Sequence, residues 1–85
     1  MQTGVREYLN ELFKWMETES MELRRVVVHD DVLTVEVQWG KMSVTHAITL
    51  MMLAKARHAD VLPVVVKDVF KQLQAACNHL DPSVN

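Results

Sequence analysis

The sequence predicts a small α+β domain in which a helix, a β-hairpin and two further helices follow one another (αββαα). Three patterns lead to this prediction. Residues 5–16 have apolar side chains at helical spacing, residues 23–39 alternate with a period of two, and residues 62–80 show heptad spacing. The chain has 85 residues, enough for a single domain over 1–85, with 81–85 expected to form a frayed tail.

The first predicted helix is amphipathic. Tyr8 and Trp15 border its apolar stripe, and Thr3 is a suitable N-cap because its hydroxyl accepts backbone N–H bonds. Glu19 would fall inside the stripe, so the helix is expected to end within 18–21. The stripe consists of Val5, Leu9, Leu12, Phe13 and Met16.

The hairpin is predicted from two β-branched segments, 23–29 and 32–39, on either side of Asp30-Asp31. Loops of two and of four residues are both compatible with this turn. Symmetric pairing about the turn places Arg25 opposite Glu36 on the solvent side. A shift of one residue would turn Glu36 into the core, so the pattern defines the register. The inward side is expected to contain Val26, Val28, Leu33, Val35, Val37 and Trp39.

Residues 43–59 are predicted to form the second helix, with Ser43 or Thr45 as its N-cap. Such a helix would be apolar nearly all round, which is typical of a helix buried in a core or at an interface. Lys55 interrupts its apolar side. Both a snorkelling stem and a basic group at the rim of an apolar contact would explain this lysine.

The third helix is predicted to begin after Asp60 as N-cap, with Pro63 in its first turn. Its heptad spacing is too short for a free coiled coil, so docking on the core is favoured over a self-paired seam. Leu73 is expected to be its most buried residue, and Lys71 to face solvent. The stripe consists of Leu62, Val66, Val69, Phe70, Leu73, Ala76, Cys77 and Leu80.

Composition and charge narrow the classes of function. Hydrophobic residues make up 49% and charged residues 24%, as in ordinary globular proteins. The net charge of −2 provides no general attraction for nucleic acid or anionic lipid, and no apolar segment approaches the roughly 20 residues of a membrane span. Cys77 is the single cysteine, and the N-terminus lacks a signal-peptide pattern. These features predict a cytoplasmic protein without membrane contact.

The sequence predicts neither an enzyme nor a cofactor or metal site. Cys77 falls on an apolar stripe, where a free cysteine behaves as a small hydrophobic residue. His46 and His58 are twelve residues apart, whereas zinc ligands come in closely spaced pairs. His58 and Asp60 would suit an acid–base pair, but a histidine near a helix C-terminus is also favourable for the helix dipole alone.

Binding to another protein is the function that the sequence favours. The expected activity is that of a cytoplasmic inhibitor, antitoxin-like binder or assembly adaptor, working as a homodimer. A lone hairpin has open edges, to which another strand can pair. Six methionines suit an adaptable apolar surface. The predicted second helix has more apolar surface than the hairpin and the other two helices of one monomer can cover. The predicted partner or dimer interface consists of Val27, Val32, Leu50, Met52, Leu53 and Lys55.

Two other functions remain open, a nucleic-acid-binding regulator and a small enzyme. A regulator would use basic residues on an acidic chain, and its Arg25 already pairs with Glu36 in the predicted register. The basic residues that such a regulator would use are Arg24, Arg25, Lys41, Lys55 and Arg57.

The element order of the first sixty residues is similar to that of small phage morphogenesis proteins, and no shared motif accompanies that similarity.

Overall fold

The computed structural model describes residues 4–80, with side chains described for 4–77, as three helices and one antiparallel sheet. The α+β class is confirmed, but the sheet has three strands where two were predicted, so the order is αβββαα. The strands form a meander with β2 in the centre, and the helices cover one face of the sheet. The elements are α1 (Val5–Thr18), β1 (Glu22–His29), β2 (Val32–Trp39), β3 (Met42–Thr49), α2 (Leu50–His58) and α3 (Leu62–Leu80).

Gly4 occupies the N-cap position of α1 with φ 85°, a left-handed value that favours glycine. Thr3, the predicted N-cap, lies outside the described residues. A Cβ atom on Gly4 would lie 3.3 Å from the Leu53 carbonyl oxygen, so glycine also permits α1 to approach α2 closely. The helix ends at Thr18, as predicted.

The apolar stripe of α1 is rotated from the predicted one. Tyr8, expected at the border, is fully buried at its centre, whereas Phe13, expected inside, is 45% exposed. Trp15 explains part of this rotation because its ring packs on Phe70 of α3, with centroids 5.4 Å apart. The helix therefore faces α3 as well as the sheet.

The predicted register of the β1–β2 hairpin is confirmed. Arg25 lies opposite Glu36, and both Val35 and Val37 are buried. The loop has two residues, and Asp30 and Asp31 have φ values of 52° and 62°, the two positive angles that a type I′ turn requires. Short polar side chains tolerate this conformation better than most residues, which explains two aspartates at the turn.

A β-bulge near the start of β1 keeps an arginine out of the core. Leu23 pairs with Val37 and Arg25 pairs with Glu36, so Arg24 is the extra residue. Without the bulge, Arg24 would lie opposite the buried Val37 and point into the core. With the bulge, Leu23 packs against the core instead, and both consecutive arginines remain exposed.

The prediction of a helix over residues 43–59 is wrong in its first half, because residues 42–49 form β3. Gly40 has φ 64° at the first position of a two-residue loop, the position at which a type II′ turn requires glycine. The real N-cap of α2 is Thr49, whose hydroxyl accepts a bond of 3.1 Å from the Met52 N–H. Ser43 and Thr45 are strand residues.

The inward residues of β3 complete the sheet side of the core. Val44 lies opposite Val37 and Ile48 opposite Leu33, and all four are buried. His46 occupies the inward position between the two apolar residues, where its Nε2 lies 3.3 Å from Oε1 of a glutamine on α3. Because His46 is polar, the alternation of apolar and polar residues that predicts a strand is interrupted in residues 42–49.

The α2–α3 corner also differs from its prediction. Asp60 has φ 60° and ends α2 in a Schellman motif, in which the Val61 N–H donates to the Ala56 carbonyl over 2.9 Å. Asp60 is therefore the left-handed residue that follows the C-cap of α2, not the N-cap of α3. Pro63 lies in the first turn of α3, as predicted.

The stripe of α3 docks on α1 and β3, which confirms core docking. Val66, at 0% exposure, is slightly more buried than Leu73 at 2%. Ala76 is half-buried, and the side chain of Leu80 lies outside the described part. The buried members of the stripe are Leu62, Val66, Val69, Phe70, Leu73 and Cys77.

Gly40→Ala is expected to lower the free energy of unfolding by about 1–2 kcal/mol. A Cβ at this position would meet no atom within 4 Å, so the cost comes from the left-handed φ alone. Chemical denaturation measures the change. Gly40→Asn is the matched control and should lose clearly less, because asparagine tolerates positive φ. Equal losses would contradict a conformational origin.

Candidate protein-interaction surfaces

Among residues 4–80, no helix packs on the outer face of the sheet, which forms the first candidate surface. A shallow depression of about 280 Å³ crosses all three strands there. Its lining combines an apolar side chain with charged and hydroxyl groups, a composition that protein interfaces share. The outer face is defined by Arg25, Val27, Thr34, Glu36 and Thr45.

Neighbouring strands position these side chains. Arg25 and Glu36 are cross-strand partners, and Val27 lies opposite Thr34. The Glu36 carboxylate accepts a hydrogen bond of 3.1 Å from a serine hydroxyl on β3. Because Arg25 is exposed, its cross-strand pairing with Glu36 contributes at most about 1 kcal/mol to stability. These groups are therefore available for contacts with another molecule.

The second candidate surface, called the β1 strip here, is the open edge of β1 with Val26 and Val28. These two valines point to the helix-covered side, as predicted, but they are 39% and 52% exposed. The described helices pack over β2, β3 and the start of β1, and they leave the middle of β1 uncovered. The opposite edge strand differs, because its inward Val44 and Ile48 are both buried.

The strand pairing directs backbone hydrogen-bonding groups away from β2 beside the same two valines. The turn makes His29 and Val32 a hydrogen-bonded pair, and such pairs alternate along an antiparallel ladder. The N–H and C=O groups of Val27 therefore point to β2, whereas those of Val26 and Val28 point to the open edge. An edge of this kind is a template for another strand.

The predicted interface residues fall into separate places. Val27 is exposed on the outer face and Val32 is half-buried beside it, so these two are brought together. On α2, Met52 and Lys55 are exposed. Two further members of the predicted set lie deeper, Leu50 half-buried and Leu53 fully buried.

The burial of Leu53 follows from the shortened helix. Because α2 starts at Leu50, its apolar residues are divided between one buried side and an exposed first turn. Leu53 and Ala56 face the core, while Met51 and Met52 face solvent. Leu53 is thus left out of any surface, and the second helix is not apolar all round.

The five basic residues proposed for nucleic acid do not form one patch. Arg24, Arg25 and Lys41 lie at the end of the sheet where β1 starts, whereas Lys55 and Arg57 lie on α2, which follows the opposite end. Two of them already contact carboxylates. Arg24 lies 3.3 Å from Glu22, and Arg57 lies 3.2 Å from a glutamate in the first turn of α1.

Cys77 is buried, and burial raises the pKa of its thiol, so the nucleophilic thiolate is disfavoured. Over residues 4–77, whose side chains are described, no three His, Cys, Asp or Glu side chains lie close enough to share a metal ion. None of the described helices combines the length and apolar character needed to cross a membrane.

Sequence reasoning missed the exposure of Val26 and Val28. The available signal was the run Val26-Val27-Val28, which is apolar on both sides, a pattern typical of strands covered on both faces. Such a run on an edge strand indicates that one apolar face of the strand is left without a packing partner.

Comparisons with known proteins add no assignment, since no family model, curated protein or solved structure matches the chain.

Proposed function

We propose that the protein is a cytoplasmic protein-interaction module that acts by occupying a partner protein's surface, as an inhibitor, antitoxin-like binder or assembly adaptor. It works as a homodimer and uses the outer face for its partner. The observation that supports this proposal most is the uncovered outer face, where Val27 and four polar side chains surround a depression of about 280 Å³.

The composition of the outer face suits recognition of protein better than recognition of phosphate. Arg25 and Glu36 present opposite charges side by side, and two threonine hydroxyls flank them. Opposite charges at fixed positions provide orientation and selectivity for a partner with the complementary arrangement. An apolar centre such as Val27, with a polar border, provides the contact that excludes water.

Capture of partners by the immobilised protein from a lysate of its source cell tests this proposal. Thr45→Lys places a long charged side chain on the outer face and should reduce retention of a specific partner about tenfold or more. Thr45 is exposed, so the fold should tolerate the change. The measurement is the amount of each captured protein, quantified by mass spectrometry.

Ala75→Lys is the matched control, because Ala75 is exposed on α3, away from the outer face. A partner should be retained by the wild type and by Ala75→Lys and lost with Thr45→Lys. Equal retention by all three proteins, or no specific retention by the wild type, would contradict the proposal.

A further inference from the structure

We infer that a second copy of this chain occupies the β1 strip, pairing antiparallel with β1 about a two-fold axis at Val27. The inference rests on the proposed function in one respect, the homodimer, and assigns its interface. The two three-stranded sheets would join into one sheet of six strands. Such an interface is isologous, since the same strip serves both copies.

The backbone of β1 fits this register. Val26 and Val28 direct their N–H and C=O groups to the open edge. Val26 of each copy can therefore form backbone hydrogen bonds with Val28 of the other copy. Two hydrogen-bonded pairs then flank the axis, and Val27 becomes the central non-hydrogen-bonded pair. Registers shifted by one residue would place inward and outward side chains opposite each other and are excluded by the pleat.

The side chains of β1 are complementary to themselves in this arrangement. Val26 of one copy lies opposite the partner's Val28 on the helix-covered side, and the reverse pair repeats the contact. These four valines, each 39% or 52% exposed in the monomer, thereby cover one another. They lie between the helices of one copy and those of the other, on the same face of the joined sheet. The uncovered middle of β1 receives the cover that its own helices do not supply.

The charges at the ends of β1 also match. β1 carries Arg24-Arg25 two residues after its start at Glu22 and is followed by Asp30-Asp31, so antiparallel pairing sets the arginines of each copy beside the aspartates of the other. A parallel arrangement would set like charges together. In the monomer Arg24 contacts Glu22 at 3.3 Å and Asp30 contacts His29 at 3.1 Å. Both contacts are strongly exposed and weak, and do not prevent new pairing.

A single cysteine at the axis tests the register. In a non-hydrogen-bonded pair the Cα atoms lie about 4.5 Å apart, within the range of about 4.4–6.8 Å that disulfides span. Val27→Cys should therefore give a covalent dimer as the main product of mild oxidation, seen in non-reducing electrophoresis. The wild type should give none, because Cys77 is buried. Thr45→Cys, exposed on the opposite edge strand, is the matched control and should remain monomeric on the gel.

Sedimentation at micromolar concentration tests the interface without cross-linking. The wild type should sediment with the mass of two chains, and Val28→Lys should raise the dissociation constant more than about tenfold, because symmetry introduces the lysine twice. Val28 is 52% exposed, so the monomer should stay folded, which circular dichroism verifies. Val64→Lys, at a valine 67% exposed on α3, should remain a dimer.

Three outcomes would overturn the inference. They are a wild type that sediments as one chain, a dimer that Val28→Lys leaves intact, and cross-linking through Thr45→Cys instead of Val27→Cys. Failure here is distinct from failure of the proposed function. If the wild type is a monomer and Thr45→Lys still abolishes partner retention, the self-pairing is refuted, whereas partner binding by the outer face is supported.

Discussion

Leu73→Ala is expected to lower the free energy of unfolding by about 2–5 kcal/mol. Leu73 is 2% exposed and belongs to the stripe through which α3 docks on α1 and β3. The substitution removes apolar contacts and leaves a cavity that the surrounding elements fill only in part. A domain of this size has a total stability of about 5–15 kcal/mol or less, so much of it should be lost. Urea denaturation followed by circular dichroism measures the change.

Lys71→Ala is the matched control, two residues away on the same helix. Lys71 is exposed, and alanine is the best helix former, so this change should be nearly silent. Similar losses for the two variants would contradict the orientation of α3. A loss at Leu73 alone would support the docking of the stripe on the core.

Tyr8→Phe is expected to raise the free energy of unfolding by about 1–3 kcal/mol, the cost of burying an unpaired polar group. The Tyr8 side chain is fully buried, and its hydroxyl has no hydrogen-bond partner within the part of the chain that the structure describes. Phenylalanine keeps the ring and removes the hydroxyl. A loss of stability would contradict this and would show that the hydroxyl is paired in solution.

The same hydroxyl predicts a dependence on pH that the variant should lack. Burial raises the pKa of Tyr8 from its ordinary value of 10.0 to about 12. The native state therefore retains a proton that the unfolded chain releases. The free energy of unfolding is unaffected by this group below about pH 10 and falls as the pH rises towards about 12.

Ultraviolet absorbance of tyrosinate measures this pKa directly, because Tyr8 is the only tyrosine in the chain. The titration should have its midpoint near 12 in the native protein and near 10 in denaturant. A native midpoint near 10 would show that the ring is accessible to solvent.

The hairpin was predictable because its determinants are local. Asp30-Asp31 supplies two left-handed residues, and the alternation on either side permits one register only. β3 was not predictable on the same grounds. His46 interrupts the inward series, while Ser43 and Thr45 resemble helix caps, so the segment has patterns of both strand and helix.

The candidate surfaces were only partly predictable for a related reason. Exposure of Val26 and Val28 depends on which strand lies in the centre of the sheet, and that depends on β3. With two strands the helices would cover both, whereas a third strand draws α3 over itself and away from β1. Val27 and Val32 were placed correctly on the outer side because their positions follow from the hairpin alone.

The packing of α1 on α3 also has a consequence for synthesis on the ribosome. The three strands are joined by two-residue loops, so the sheet forms through contacts between residues that are near one another in sequence. The main partner of α1, in contrast, is the last helix, and the entire sheet and α2 are translated between them. The apolar side of α1 therefore leaves the ribosome before α3 has been made. Until α3 is available, this apolar surface stays exposed, and exposed apolar surface on a nascent chain is what chaperones bind.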